Sequence, residues 1–374
     1  MKYLKWFLSF ASRTVNIIFV VGLLISLSAS YINPQKIWFM PFVSMLLPFF
    51  LIVNFIFVFI WIWRKRYFFM VSALAIATCL PQICKVMATN IGKTNVDVKQ
   101  TNRIKVMSYN VRDFDLYNWS ENVHSKEKIF NTIKEKNPDI ISFQEFYNDT
   151  TAEFNTIKKL QALGYKHYYF TRELVLRNTD EWGIATFSKY PIVNYGAILQ
   201  QQFSTSYGKK PHKGLYVDVA IHDTIIRVVN VHLQSIYFGS KDYETIAEFK
   251  ETQNLDEDGT KSIFYKLKKA FIRRASQADR LKTFLDNQKL PVIVCGDFND
   301  LPNSYVANTI SKDRKDAFLE SSFGIGSTYN GKIPFLRIDY LLCSPSFSIT
   351  NFEVVDNKIS DHFPVYGEFY LDIK

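Results

Sequence analysis

The apolar residues of this chain are concentrated near the N-terminus. The first 90 residues contain three long runs without charged side chains, at about residues 15–32, 38–63 and 67–84. A helix of about 20 apolar residues crosses the roughly 30 Å hydrocarbon layer of a bilayer. The pattern therefore predicts an all-α membrane anchor over residues 1–90 with about three transmembrane helices.

Positive charges flank these runs unevenly. Three cations precede the first run and three more (64–66) separate the second from the third, whereas only Lys36 lies between the first and second. The positive-inside rule places the N-terminus in the cytoplasm, so three crossings would leave the remaining chain on the extracytoplasmic side of a bacterial-type inner or plasma membrane. Residues 1–30 could instead be a cleaved signal peptide, and the two remaining spans would leave the later domain on the same side.

Beyond the apolar region, strand and helix patterns alternate. Residues 91–102 are polar and short of large apolar side chains, which predicts a linker before a domain over residues 103–374. Amphipathic spacing predicts helices at Lys126–Lys136, Ala152–Leu163 and Ile263–Leu285. Short apolar or alternating runs predict many strands, which indicates stacked β-sheets with helices outside them. The predicted strands are Ile104–Tyr109, Asp139–Phe143, Tyr165–Thr171, Gly183–Phe187, Leu215–Ile221, Ile225–Val231, Val292–Cys295, Asp339–Cys343 and Val365–Leu371.

Composition adds little information about partners and about the state of the cysteines. The formal net charge of +10 suits an anionic partner or an anionic membrane surface, without choosing between them. The four cysteines are too few for a disulfide framework, so we expect packed free thiols.

Polar side chains occur where predicted strands begin or end. Each has an ordinary explanation when taken alone: a carboxylate at a helix start, a histidine packed in the core, or a turn. Together they supply oxygen ligands for a hard cation, a base for water and donors for phosphoryl oxygens, as phosphate-ester hydrolysis requires. The residues are Asn110, Glu145, His232, Asp297, Asn299, Asp339, Asp361 and His362.

The sequence lacks the motifs of three other common kinds of catalytic site. It contains no His/Cys cluster at zinc spacing, no Gly-x-Ser-x-Gly nucleophile turn and no Gly-Lys-Ser/Thr phosphate loop. Oxygen-rich ligands favour Mg²⁺ or Mn²⁺.

Six short motifs resemble, in order, those of the endonuclease/exonuclease/phosphatase superfamily. This superfamily includes deoxyribonucleases, repair nucleases, inositol polyphosphate 5-phosphatases and neutral sphingomyelinases. The resemblance covers about residues 103–372 and implies a four-layer αββα sandwich of two mixed β-sheets. One departure is Asn-Val-His where Asn-Thr-His is common. The motifs are Ser-Tyr-Asn110-Val-Arg, Phe-Gln-Glu145, Asn-Val-His232-Leu, Gly-Asp297-Phe-Asn299, Arg-Ile-Asp339-Tyr and Ser-Asp361-His362-Phe-Pro.

The resemblance implies a metal site. Glu145 would be the principal ligand of Mg²⁺ or Mn²⁺, with Asn110 and Asp361 nearby.

The resemblance also implies catalytic roles. Asp297 would orient or deprotonate the attacking water, and Asn299 would position the water or the phosphate. His362, held by Asp339, would contact the scissile phosphate. His232 would act as a donor to the phosphate or the leaving oxygen. Which group is the formal base stays open.

The implied activity is metal-dependent hydrolysis of a phosphodiester, in nucleic acid or a phospholipid head group, by in-line attack of an activated water. Two alternatives are a phosphomonoesterase acting on inositol-phosphate-like substrates and a non-catalytic membrane protein that binds phosphate ligands. The cationic segment Lys261–Arg274 suits a solvated helix face, a membrane-surface helix or a nucleic-acid contact. The expected partners are the lipid bilayer and a phosphate ester, with no obligate protein partner.

Overall fold

The structure, a computed structural model, describes residues 2–90, 103–120, 124–151, 154–200, 212–221, 223–236, 245, 257–331 and 335–371. The predicted linker, residues 91–102, lies outside these ranges. The chain forms two compact units. Unit 1 contains Met1–Val86, Ile236–Ser276 and Pro302–Asn308, and unit 2 contains Met87–Ser235, Gln277–Leu301 and Thr309–Lys374.

The described residues form helices and strands with the following bounds. The helices are α1 Lys2–Ala29, α2 Met40–Met45, α3 Leu47–Trp63, α4 Phe69–Val86, α5 Ser125–Lys136, α6 Thr156–Ala162, α7 Glu257–Asp286, α8 Tyr305–Ser311 and α9 Ala317–Ser321. The strands are β1 Ala88–Thr89, β2 Arg103–Asn110, β3 Ile140–Asp149, β4 His167–Leu176, β5 Asp180–Ser188, β6 Ile192–Gln200, β7 His212–Ile221, β8 Thr224–His232, β9 Val292–Asp297, β10 Lys315–Asp316, β11 Phe323–Gly324, β12 Asp339–Cys343, β13 Phe347–Val354 and β14 Val365–Leu371.

Two helices of unit 1 are long and apolar enough to cross a membrane, namely Ser9–Ala29 within α1 and all of α4. The predicted middle span is divided at Leu46 into α2 and α3, and each of these begins with a proline in its first turn, where proline is favoured. With 17 residues, α3 is at the short limit for a span. A buried core helix, or for α1 a signal sequence, meets the same criteria of length and composition, so the three-span topology stays a prediction.

Polar side chains link α1, α3 and α4 inside their apolar packing. Trp61 donates its indole N–H to Asn16 Oδ1 at 2.8 Å, and Asn16 Nδ2 donates to Ser72 Oγ at 2.7 Å. Ser72 donates in turn to Asn54 Oδ1 at 2.9 Å. Because a buried polar group without a partner is costly, this chain of hydrogen bonds favours one rotational setting of the three helices.

Later segments of the chain also pack within unit 1. The ring centroid of Phe42 lies 5.4 Å from that of Phe264 and 5.1 Å from that of Phe271. Asn303 Nδ2 donates to the Ser44 carbonyl oxygen at 2.8 Å. The N-terminal helices therefore share a compact unit with segments that the sequence assigns to the later domain, and the functional boundary at residue 103 stays a prediction.

The described residues of unit 2 form two six-stranded sheets and one two-stranded sheet. The first large sheet has the order β6-β7-β8-β9-β12-β10, and the second has the order β4-β5-β3-β2-β14-β13. Within each, one neighbouring pair is parallel, β8/β9 and β2/β3, and the other pairs are antiparallel. β1 pairs with β11. The prediction of two mixed sheets is confirmed.

The main core of unit 2 lies between the two large sheets. Val217, Val228 and Ile293 of the first sheet pack with Val106 and Ile140 of the second. On the outer face of the second sheet, α5 and α6 join a separate apolar cluster. The part of α7 in unit 2 covers the first sheet, since the Phe284 ring lies 5.6 Å from the Tyr216 ring of β7. The result is the predicted four-layer αββα sandwich.

Several expectations about individual elements need correction. β6 and β13 were not predicted, because both are edge strands whose exposed positions weaken the apolar signal. β3 continues well past Phe143 to Asp149. The helix predicted at 152–163 is described only over Thr156–Ala162. All four cysteines are free, but Cys84 is exposed rather than packed.

Candidate active site

Four of the predicted residues lie at strand ends on one edge of the sandwich. Asn110 ends β2, His232 ends β8 and Asp297 ends β9. The parallel register pairs His232 with Asp297, and the antiparallel register pairs Asp297 with Asp339, the first residue of β12. Strand pairing therefore brings together side chains that are far apart in the sequence.

The turn after β9 fixes the Asp297 carboxylate. Gly296 has φ 137°, and a Cβ there would lie 1.9 Å from the Val231 carbonyl oxygen, so only glycine allows this approach to β8. Asn299, with φ 53°, donates its backbone N–H to Asp297 Oδ1 at 2.7 Å and its Nδ2 to Oδ2 at 3.0 Å. The two side chains therefore lie side by side because Asn299 adopts a left-handed turn conformation.

A bulge inside β3 positions Glu145. The β3/β5 register shifts between Phe143 and Phe146, and Glu145 adopts φ 49°. Glu145 therefore lies within a strand and not, as predicted, at a strand exit. Its Oε1 is 3.4 Å from Asn110 Nδ2 and 3.7 Å from His232 Nε2. Asn110 also donates to Asp297 Oδ2 at 3.1 Å and so joins the two carboxylates.

His362 lies between two carboxylates. Its Nδ1 is 3.0 Å from Asp339 Oδ2, and its Nε2 is 3.7 Å from Asp297 Oδ2. Burial lowers the pKa of His362, but Asp339 and Asp297 outweigh it and raise this pKa well above its ordinary value. At neutral pH His362 is therefore an imidazolium. The Tyr329 ring packs edge-on against it at 5.3 Å.

His232 has the opposite electrostatic environment. Burial lowers its pKa well below the ordinary value, and the cations Lys213 and His362 lower it further, so the ring is neutral. Among the described residues its buried Nε2 has no hydrogen-bond partner, and it lies 3.8 Å from Asp297 Oδ2. A buried nitrogen aimed between two carboxylates suits contact with a bound group.

The loop before β14 places Asp361 beside these residues. Ser360 donates to the Asn110 carbonyl oxygen at 2.9 Å and accepts the His362 backbone N–H at 3.2 Å. Burial is the main cause that raises the pKa of Glu145, and the Asp361 carboxylate adds to it. Asp361 is therefore close enough to repel Glu145, and all eight predicted residues gather at this edge.

Sequence reasoning missed a buried polar network below the site. Gln144 Nε2 donates to Asn230 Oδ1 at 2.7 Å, and Asn230 Nδ2 donates to the carbonyl oxygens of Phe143 and Ala185, each at 3.1 Å. Both side chains are fully buried and connect the two sheets. Each could have been found from the sequence as a carboxamide inside an otherwise apolar strand. Gln144 comes directly before Glu145, and Asn230 comes two residues before His232.

Comparisons with known proteins give the family of this chain. The model of the Endonuclease/Exonuclease/phosphatase family matches residues 107–362, and a model described as Domain of unknown function (DUF8431) matches residues 5–86. The chain belongs to the endonuclease/exonuclease/phosphatase family. A comparison with curated proteins gave no significant match.

Solved structures of similar fold come from several bacteria. One is the mannosyl-6-phosphatase of Bacteroides thetaiotaomicron VPI-5482, with 18% identity over 72% of this chain and 100% of that chain and a TM-score of 0.51. Another is an endonuclease/exonuclease/phosphatase family protein of Bacteroides thetaiotaomicron, with 16% identity, 74% and 98% covered and a TM-score of 0.51. A third, from Beutenbergia cavernae DSM 12333, has 20% identity, 72% of each chain covered and a TM-score of 0.49. At these identities the likeness of the two Bacteroides thetaiotaomicron structures shows the fold alone.

Two acidic side chains and one histidine lie close enough together to hold a metal ion. Single ligand atoms of Asp297, Asp339 and His362 lie within 4.8 Å of one another. In that group, however, Asp339 and His362 already share a hydrogen bond. Among the described residues, the carboxylate of Glu145 accepts a single long hydrogen bond, from Asn110, and it faces the Asp361 charge, which a cation between them would relieve. This donor chemistry fits a hard divalent ion.

Proposed function

We propose that this protein is a divalent-metal-dependent phosphoesterase that hydrolyses a phosphodiester, in nucleic acid or a phospholipid head group, with water as the nucleophile. The observation that carries the proposal is the arrangement of Asp297 beside an imidazolium, His362, that is held by Asp339. A base for water and a cation for phosphoryl oxygens then stand on the same edge of the sandwich.

Asp297 orients the attacking water and accepts its proton. Burial is the main cause that raises the pKa of Asp297; His362 opposes this, and Asp339 adds to it. A raised pKa makes the carboxylate a stronger base at neutral pH. Asn299 keeps one carboxylate oxygen oriented by donating its backbone N–H.

His362 stabilises the charge that develops on the phosphoryl oxygens. Its Nδ1 is held by Asp339, which leaves Nε2 directed toward Asp297 and the reacting group. The neutral His232 contributes a hydrogen bond to the phosphate or the leaving oxygen.

Glu145, Asn110 and Asp361 would hold the metal ion, Mg²⁺ or Mn²⁺. When bound, the ion neutralises phosphate charge and lowers the pKa of water. Oxygen donors alone make up this set, which suits these two ions over zinc.

The N-terminal helices would anchor the catalytic domain, residues 103–374, to the extracytoplasmic face of the membrane. Support for the anchor comes from the length and apolar composition of α1 and α4. With a cytoplasmic N-terminus, the domain lies outside only if the 17-residue helix α3 is a third crossing. The uneven cationic flanks support the orientation.

Hydrolysis of a phosphomonoester such as an inositol phosphate is the second candidate. Cations near the site favour it, because a monoester carries more charge than a diester. Arg112 Nε lies 3.6 Å from Asp361, and Lys213 lowers the pKa of both Glu145 and His232.

The test is a substrate panel with the full chain in lipid nanodiscs and Mg²⁺. Duplex DNA, RNA, lipid phosphodiesters and phosphoinositides separate the candidates. His362→Ala and Asp297→Ala should each lower turnover at least about 100-fold, the usual effect of losing one acid–base or oxyanion group. His124→Ala, an exposed histidine outside the site, is the control. Normal turnover by both site variants would refute the assignment.

A further inference from the structure

The loop that follows Asn110 has an unusual backbone. Four consecutive residues have left-handed φ values: 44° at Arg112, 55° at Asp113, 55° at Phe114 and 58° at Asp115. Residues other than glycine rarely adopt this conformation, and they usually do so as single residues and not in a run. Such strain persists where the surroundings impose it, and it concentrates at ligand sites.

Buried contacts hold this loop in place. Phe114 is 1% exposed, and its ring packs against Phe146 at 5.5 Å and Phe130 at 6.0 Å. At the far end, Asp115 accepts hydrogen bonds from the backbone N–H and the hydroxyl of Ser120. The loop is therefore fixed at its centre and at its end.

The fixed loop displays two large aromatic side chains to solvent. Tyr117 is 58% exposed and Trp119 is 45% exposed, and their ring centroids are 4.9 Å apart. Exposed aromatic surface that is rimmed by polar residues is a feature of ligand-binding sites.

Arg112 connects this pair to the active site. Its guanidinium carbon lies 4.6 Å from the centre of the Trp119 ring, while its Nε lies 3.6 Å from Asp361. Because Asp361 stands beside Glu145, a phosphate bound at the site and a group on the Trp119 ring can belong to one molecule.

We propose that Tyr117 and Trp119 form a stacking platform for a nucleobase that is joined to the phosphate bound at the active site. The inference rests on the proposed function and selects a nucleotide-containing substrate. Bases stack on aromatic rings through their flat faces, and an arginine can bind the adjoining phosphate. A quaternary ammonium such as choline also binds aromatic rings, but the Arg112 guanidinium beside Trp119 repels a second cation.

The test measures binding to the full chain in nanodiscs with Mg²⁺ by isothermal titration calorimetry. The ligands are adenosine 5′-monophosphate, ribose 5-phosphate, phosphocholine and inorganic phosphate, and phosphate release is followed in the same samples. Trp119→Ala should raise the Kd of adenosine monophosphate roughly 10-fold or more, the scale for loss of one base–aromatic stack, and leave inorganic phosphate unchanged. Trp119→Phe should retain most of the affinity.

Tyr195→Ala is the matched control. Tyr195 is 58% exposed, as Tyr117 is, and it also packs against a second aromatic ring, that of Tyr169 at 4.5 Å, but it lies on the edge strand β6. It should change no Kd. The proposal is overturned if Trp119→Ala leaves adenosine monophosphate unaffected. It is also overturned if ribose 5-phosphate or phosphocholine loses as much affinity. Absence of turnover of every phosphate ester in the substrate panel would instead refute the proposed function, and the platform with it.

Discussion

The two histidines of the site differ in charge because their neighbours differ. His362 contacts Asp339 and lies close to Asp297, and these carboxylates overcome the effect of burial on its pKa. His232 is affected by burial, Lys213 and His362, all of which lower its pKa. One ring can therefore stabilise negative charge while the other stays neutral at the same pH.

Removing the Asp339 charge should move the pH profile. Asp339→Asn removes the largest of the effects that raise the pKa of His362, so this pKa falls, although Asp297 and Asp361 still raise it against burial. The imidazolium is then lost at a lower pH, and the alkaline limb of the kcat/KM profile should move to lower pH. Asp180→Asn, which neutralises a carboxylate outside the site, should leave the limb in place. An unchanged limb in Asp339→Asn would show that His362 does not act as the cation.

Neutralising Glu145 should separate metal binding from folding. Glu145→Gln removes a predicted metal ligand, so the Mg²⁺ concentration for half-maximal activity should rise about 10-fold or more. In chelator, however, the variant should unfold at the same or a higher temperature, because a carboxylate whose pKa is raised by burial and by Asp361 has been removed. Thermal unfolding with and without Mg²⁺ measures both effects. Unaltered Mg²⁺ dependence would contradict the ligand role.

At the scale of elements, the parallel pair β8/β9 sets the geometry of the site. This pairing places the last residues of both strands, His232 and Asp297, next to each other. The bulge in β3 then brings Glu145 to the same edge.

Gly296→Ala should disrupt this pairing. Its Cβ would meet the Val231 carbonyl oxygen at 1.9 Å, so the strands must separate. We expect the free energy of unfolding in urea to fall by about 3 kcal/mol or more. Gly164→Ala is the control, because Gly164 also has a positive φ but has no atom within 4 Å of the added Cβ. That variant should lose only about 1–2 kcal/mol from the backbone conformation. Equal losses would mean that contact with Val231 does not matter.

At the scale of the whole molecule, the proposed orientation is open to a direct test. In a Cys84→Ser background, Tyr168→Cys should react with a membrane-impermeant maleimide added to intact cells freed of any outer barrier. Lys65→Cys, in the short loop between α3 and α4, should react only after permeabilisation. The reverse pattern would overturn the predicted topology.

Much of the site followed from local sequence. A strand ends where its apolar run ends, so the apolar pattern alone was enough to place four polar residues at strand ends. These residues are Asn110, His232, Asp297 and Asp339. Their order along the chain also indicated the family. These inferences succeed because the end of a strand is determined by the polarity and turn preference of a few neighbouring residues.

Other features depend on residues that are distant in sequence, so only the tertiary structure decided them. The bulge at Glu145 arises from pairing with β5, and the opposition of Asp297 to Asp339 arises from sheet register. The opposite pKa directions of the two histidines follow from burial and from charges of other strands. The grouping of Pro302–Asn308 with the N-terminal helices is likewise a matter of long-range packing. Local pattern thus selected the candidate site residues, and packing between distant segments determined their positions and charges.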